Sequence, residues 1–233
     1  MEEMNKNETE PALTNAERIK DAAMRLFSRY GYGTTTVRMI AKEAGLSQGQ
    51  ITVHFGSKEG LYESIVNDVM SITASYTEPL QQEMEELLDQ NELTKEKAWE
   101  LIGRHIDNLI DFCFVPQNRG KLMMLNVIVP DSVIVKKANA TFQNTVLRKD
   151  ELLLTQLIQC YSKKKGYLRA RVVSRAVNGA IVSFSEHKDF LMTEVYSNSN
   201  PEQAAAWTKN HLKNYVMNSI RTIDEMDEVS EIV

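Results

Sequence analysis

The stretch Thr34–Lys58, TTTVRMIAKEAGLSQGQITVHFGSK, decides the fold of this chain because it spells two short helices joined by a tight turn. Thr35 or Thr36 offers an N-cap hydroxyl, Val37, Ile40, Ala41 and Ala44 recur at helical spacing, and Gly45 stands where a left-handed residue ends a helix at little steric cost. The second helix starts at Ser47, which together with Gln50 has the form of a capping box. That leaves only Gly45 and Leu46 for the turn. Leu46 is positioned to plug the gap between the helices, with Ile51 and Phe55 facing the same small core. The other face of the second helix carries Gln48, Gln50, Thr52 and His54, uncharged donors and acceptors of the kind that read base edges, and Gly49 leaves room for close approach to a groove wall.

On the amino-terminal side, Thr14, Asn15, Ala16 and Glu17 form a second capping box, followed by a stripe of Ile19, Ala22, Ala23, Leu26, Phe27 and Tyr30 that Gly31 and Gly33 bring to an end. This helix braces the pair and makes a three-helix head. On the other side, Ser57 caps a fourth helix with Leu61, Ile65, Val69 and Ile72 on one face, running to about Tyr76. Lys58 lies in its first turn, so this helix links whatever the head touches to the rest of the molecule.

From Thr35 to Leu61 the order Thr-Thr-Val-Arg-x-Ile-Ala-x-x-Ala-Gly-Leu-Ser-x-Gly-x-Ile-x-x-His-Phe-x-Ser-Lys-Glu-x-Leu resembles the DNA-binding domain of the TetR (tetracycline repressor) family of bacterial transcriptional regulators. With the preceding helix, the resemblance covers roughly residues 12 to 65. Position by position, it implies that Thr36 and Lys58 contact phosphates, that Ser47, Gln48, Gln50 and Thr52 face the groove, and that His54 closes the recognition helix against the backbone; Arg38 joins the same DNA-binding set. The chain departs from the family at Thr52, where an aromatic, most often tyrosine, is usual, and at Val53, which is placed to touch a thymine methyl.

At 233 residues the chain is long enough for one large or two modest domains with a real core. Its 42% apolar and 25% charged residues, five prolines and ten glycines fit an all-helical fold. No apolar run approaches the ~20 residues of a membrane span, and the polar, acidic first residues lack the form of a secretory signal, so a cytoplasmic protein, nucleoid-associated when bound to DNA, is expected. The net charge of −5 argues against a nucleic-acid binder until it is divided along the chain. Residues 12–60 carry seven basic and four acidic side chains, leaving +3 on the head and −8 on the remainder. A basic head on an acidic body suits docking by one end.

The expected architecture is all-α: a disordered arm at 1–11, a helix-turn-helix DNA-binding head at 12–60, a larger helical effector-binding and dimerisation domain at 61–225, and an acidic tail at 226–233. Within the body, Pro79 sits early in a helix reaching about Gln90, and Thr94 caps another through Ala98, Leu101, Ile102, Ile106, Leu109 and Phe112. A short apolar helix spans about Lys121 to Val127. The longest helix starts at Asp131 or Ser132 and ends at Lys163, Lys164, Lys165 and Gly166, the lysines complementing its dipole. One further helix covers about Arg169 to Ser185, and Asn200, Pro201 and Gln203 start the last one.

Those last two helices are rich in small and apolar residues. Val173, Ala176, Val177, Ala180, Phe184, Thr208, Leu212 and Tyr215 are the candidate homodimer interface, in a four-helix bundle that the family resemblance also implies; the alternative is that both stripes are buried within one subunit. Trp99, Ile102, His105, Phe112, Met123, Phe142 and Phe184 are candidates to line an effector pocket, or else ordinary core. The four histidines form no metal-binding pair, and neither a phosphate loop nor a serine elbow occurs, so no cofactor, metal or enzymatic activity is expected. Cys113 and Cys160 fit no metal or redox spacing. The expected function is a homodimeric repressor that binds double-stranded DNA and is released by a small molecule; the alternative is a regulator whose body answers to a protein partner.

Overall fold

The computed structural model describes residues 13–115, 118, 133–164, 166–186 and 200–225; the arm at 1–11, the tail at 226–233, the helix expected near Lys121 to Val127, Met123, Asp131 and Ser132 lie outside them. Among the described residues every regular element is helical. In chain order these are α1 (Asn15–Tyr30), α2 (Val37–Ala44), α3 (Gln48–Phe55), α4 (Lys58–Asp89), α5 (Lys95–Phe114), α6 (Val133–Phe142), a π-helical segment (Gln143–Leu147), α7 (Arg148–Tyr161), α8 (Tyr167–Glu186), α9 (Pro201–Arg221) and a closing 3₁₀ turn (Ile223–Glu225).

Local chemistry sets most of the helix ends. Thr14 and Glu17 close a complete capping box on α1, Thr36 accepts the Met39 N–H at the start of α2, Gly45 takes φ +66° after it, and Ser57 and Thr94 cap α4 and α5. Thr35, the other N-cap candidate, is fully buried, and its hydroxyl donates to the carbonyls of Gly31 and Leu26. Two expectations fail. Ser47 precedes α3 without a side-chain cap bond, so the Ser47–Gln50 box does not form. Tyr30 lies on the outer side of α1, half exposed, with Arg29 over its ring.

The largest departure is α4. In place of a helix to Tyr76 and a second one around Pro79, a single 32-residue helix runs through the proline. Proline lacks the N–H that would bond the Ser75 carbonyl and its ring crowds that group, a cost of roughly 3 kcal/mol in a helix interior. Ser75 is exposed, so water can take the freed carbonyl. The buried stripe of Leu61, Ile65, Val69, Thr73 and Thr77 also continues through Leu80, Met84 and Leu87 on the same face, so burial along the whole helix outweighs the local break.

α5 forms the axis of the body, packed against α4, α7, α8 and α9, with Ala98, Leu101, Ile102, Ile106, Leu109 and Phe112 buried as their spacing predicts. The helix expected to be longest is interrupted between Phe142 and Arg148, where the π-helical turns widen it. It also ends earlier, at Tyr161. Lys163 and Lys164 follow the helix and do not cap its dipole; their backbone N–H groups and the Ser162 hydroxyl converge on the Asp224 carboxylate, tying the end of α7 to the closing 3₁₀ turn.

Candidate DNA interface and a pocket in the body

In the head, α1 and α4 form the support on which α2 and α3 rest, with Ile19, Phe27, Ile40, Ile51, Leu61 and Ile65 in its core. Leu46 and Phe55 pack partly buried against that core, as their positions in the turn and on α3 require. Ile51 is the fully buried anchor of α3, which fixes the rotation of the helix and therefore the direction of its other side chains. Gln48, Thr52, Val53 and His54 are exposed and Gln50 is half-exposed. Ser47 at the start of α3 is exposed too, as are Thr36, the cap of α2, and Arg38 within that helix. Eight candidate DNA-binding residues therefore divide into seven that face outward, wholly or in part, and one that does not.

The exception is Lys58. The phosphate contact implied by the resemblance would leave its ammonium free, whereas in the structure that group donates to the carbonyls of Tyr32 (2.9 Å) and Thr35 (2.8 Å) and lies 4.1 Å from the centre of the Tyr32 ring. Burial lowers its pKa against the raising influence of Glu59. Lys58 thus clamps the loop between α1 and α2 onto the first turn of α4. Other head cations are engaged as well: Lys20 with Asp68, Arg25 with Glu43, and Arg18 with the Ala44 carbonyl beside the turn. The net +3 consequently overstates the charge available to a phosphate, and Arg29 at the end of α1 with Arg38 and Lys42 on the outer side of α2 are its exposed remainder.

Residues 19–65 match the family model of bacterial regulatory proteins, tetR family. The head is thus similar to the DNA-binding domain of that family. YerO, an HTH-type transcriptional regulator of Bacillus subtilis, is 24% identical over 147 residues, 63% of this chain and 47% of YerO, so the chain spans about half of that relative's length. The fold resembles that of AmtR from Mycobacterium smegmatis (TM-score 0.61, 18% identity, 94% of this chain and 89% of AmtR). It also resembles NalD, the secondary repressor of the MexAB-OprM multidrug efflux pump in Pseudomonas aeruginosa (TM-score 0.51, 18% identity, 88% of this chain and 95% of NalD). Of these, YerO is named a transcriptional regulator and NalD a repressor. No helix among the described residues is long and apolar enough to cross a membrane.

The candidate pocket residues do not come together. Trp99 stacks on Tyr161 with Arg221 over its ring, Ile102, Phe112 and Phe142 are core, Phe184 is exposed on α8, and Met123 is outside the described residues. Only His105 belongs to a polar cluster. A cavity of about 270 Å³ instead opens between α4 and the π-helical segment with the start of α7, lined by Met70, Thr73, Ala74, Thr77, Thr145 and Lys149 among others. Threonines and alanines at these positions read in sequence as ordinary helix surface, so no sequence signal pointed there.

The candidate dimer residues also divide. Val173, Val177, Thr208 and Leu212 are buried within the subunit, Ala180 is half-buried, and Ala176, Phe184 and Tyr215 are exposed. The large apolar side chains exposed on these helices are Tyr167, Leu168, Val172 and Phe184 on α8 and Trp207 and Tyr215 on α9. The outward stripe lies next to the one that the small residues marked.

Proposed function

We propose that the chain is a homodimeric DNA-binding transcriptional repressor, in which α3 of each subunit enters the major groove and a small effector in the body releases the operator. The observation that carries this reading is the pinning of α3 by buried Ile51, which leaves Gln48, Thr52, Val53 and His54 outward on an otherwise packed head. Amide and hydroxyl groups supply base-edge hydrogen bonds, Val53 suits a thymine methyl, and Thr36, Ser47 and Arg38 are placed for backbone contact. The DNA-binding head comprises residues 12–60 together with the first turns of α4, and the rest of the chain is the effector and dimerisation domain. A repressor role is supported by the fold likeness to NalD, itself a repressor.

Pairing occurs through the exposed stripe of Leu168, Val172, Ala176, Phe184, Trp207 and Tyr215, with Val173, Val177, Thr208 and Leu212 holding each subunit's own α8 and α9 together. Two heads then stand one helical turn, ~34–36 Å, apart. Because α4 runs from the head into the wall of the cavity, a ligand that prefers one setting of α4 shifts the population of heads at that spacing. The cavity favours a small-molecule effector over a protein partner.

Selection of bound sites from random duplexes with the purified protein, followed by gel-shift titration, tests the reading. A pseudo-palindrome with half-sites one turn apart is expected. Gln50→Ala relaxes discrimination at one position per half-site by about 1–3 kcal/mol, and Val172→Asp yields monomers that lose the palindromic preference. A selected site without symmetry, or a dimer that survives Val172→Asp, would sink the arrangement.

A further inference from the structure

One wall of the cavity is the side of α4 that carries Met70, Thr73, Ala74 and Thr77, spaced i, i+3, i+4 and i+7 on a single helix face. The opposite wall holds Thr145 of the π-helical segment and Lys149 of α7. A π-helical insertion widens a helix locally and recurs at functional sites, and these widened turns stand across the cavity from the small side chains of α4.

What the walls offer a ligand follows from where their polar groups are already engaged. The Thr73 hydroxyl donates to the Val69 carbonyl at 2.8 Å, the Gln81 amide donates to Glu85 at 2.8 Å, and the Thr77 hydroxyl interacts with the Asp150 carboxylate. Asp150 itself does not line the cavity; it is 5% exposed, accepts from the Asn178 Nδ2 at 3.1 Å and is drawn on by His105. The charged lining residues, Glu78 and Lys149, are of opposite sign and both exposed to water at the mouth. An ion that entered would shed its hydration and meet no fixed counter-charge inside. Thr145 differs from the other threonines: it is half-buried, and its hydroxyl closes on no group among the described residues. Met70 and Ala74 make the remainder apolar, and the flexible thioether of Met70 adapts to the outline of what lies on it. An apolar cavity of about 150 Å³ takes up benzene. The 270 Å³ here therefore suits a molecule of roughly ten or eleven non-hydrogen atoms.

We infer that this cavity is a binding site for a neutral, largely hydrocarbon molecule of that size, with its body against Met70 and Ala74 and a single hydrogen-bonding group at Thr145. Removal of apolar surface from water drives the binding, and the one hydroxyl on the wall orients it. This deepens the effector reading above and rests on it only for the step from binding to DNA release.

The test is calorimetric titration of the full chain with 1-tetralol, an alcohol of the right size, against 1-aminotetralin and tetralin-1-carboxylate. These carry an ammonium or a carboxylate on the same ring system. The alcohol is expected to bind at least fivefold more tightly than either charged analogue. Ala74→Leu fills the cavity with the protein's own hydrocarbon and should cost the alcohol at least fivefold, with a thermal melt to check its fold. Thr145→Val removes the hydroxyl at nearly constant shape, should cost at least twofold, and decides the matter if the first variant fails to fold. No binding of the alcohol up to its solubility limit, a charged analogue inside the fivefold margin, or an unchanged affinity in either folded variant overturns the site. A gel shift on a selected operator reports separately: an alcohol that binds without releasing DNA leaves the site intact and removes only the effector role.

Discussion

The head and the body place their buried polar groups in opposite ways. In the head four inward-turned polar side chains close on a backbone group or a counter-charge: Thr35 on two carbonyls, Lys58 on two more, Arg18 on Ala44, Lys20 on Asp68. In the body the Asp150 Oδ1, the Asn178 Oδ1 and both ring nitrogens of His105 make no direct hydrogen bond among the described residues. A surface that reads bases gains from pre-set geometry, because every rotamer frozen beforehand is one not frozen on binding. The contrast can be broken most sharply where the two regions meet, at the first turn of α4.

Gly60 sits there, and a Cβ at this position would stand 2.2 Å from the Phe55 carbonyl oxygen, a backbone atom at the end of α3. Nothing flexible can yield, so Gly60→Ala must separate α3 from α4. A loss of about 3 kcal/mol is expected, with DNA binding lost at temperatures where the body still melts cooperatively; a scanning calorimetry trace unchanged from the parent would show that the head tolerates the displacement. Lys58→Met comes next. It keeps the aliphatic stem but strands the carbonyls of Tyr32 and Thr35, for about 2 kcal/mol of destabilisation. Because the ammonium is already engaged internally, the salt dependence of DNA affinity should keep its slope. A slope flattened by ~0.9 would return Lys58 to the phosphate backbone. Gly45→Ala follows at about 1–2 kcal/mol, since φ +66° burdens any Cβ and the Arg18 guanidinium lies 3.1 Å from where it would stand; urea midpoints measure it.

The same contrast explains what could be read from the residues in order. Thr14, Thr36, Gly45 and Ser57 act on groups within four positions of themselves, so the head's helix ends were legible as local chemistry. Ser47 fails as a capping residue although its pattern is right, because α3 is held by Ile51 and needs no side-chain bond. In the body, stripes such as Leu101, Ile102 and Ile106 were legible, but which residues share a cavity depends on how separate helices pack. Pro79 marked a boundary that long-range burial overrides. Lys58 lies at the limit of what sequence offers: its position in the first turn of α4 could be read, while the direction of its ammonium depends on a loop that folds back from α1.

The smallest expected effect discriminates best, because it has a sign. Asp150 is surrounded by His105 from α5, Asn178 from α8, Glu151 beside it, and Thr77 and Tyr76 from α4. Burial raises its pKa above the ordinary carboxylate value, against the opposing pull of His105, Asn178 and Thr77 and with a further push from Glu151. A carboxyl whose folded pKa lies above its unfolded one binds its proton more tightly when folded. Its contribution to stability is therefore complete below the unfolded value, near 3.9, and disappears as pH rises through the folded one. Asp150→Asn makes the neutral form permanent, so the variant should be more stable than the parent at neutral pH, by an amount of the order of 1 kcal/mol. The gap should shrink as pH falls towards 4, where the parent's own carboxyl is protonated. Melting both proteins across pH 4–8 reads this directly. If the variant is instead the less stable at neutral pH, the Asp150 carboxylate is already balanced by His105, and the body is as closed as the head.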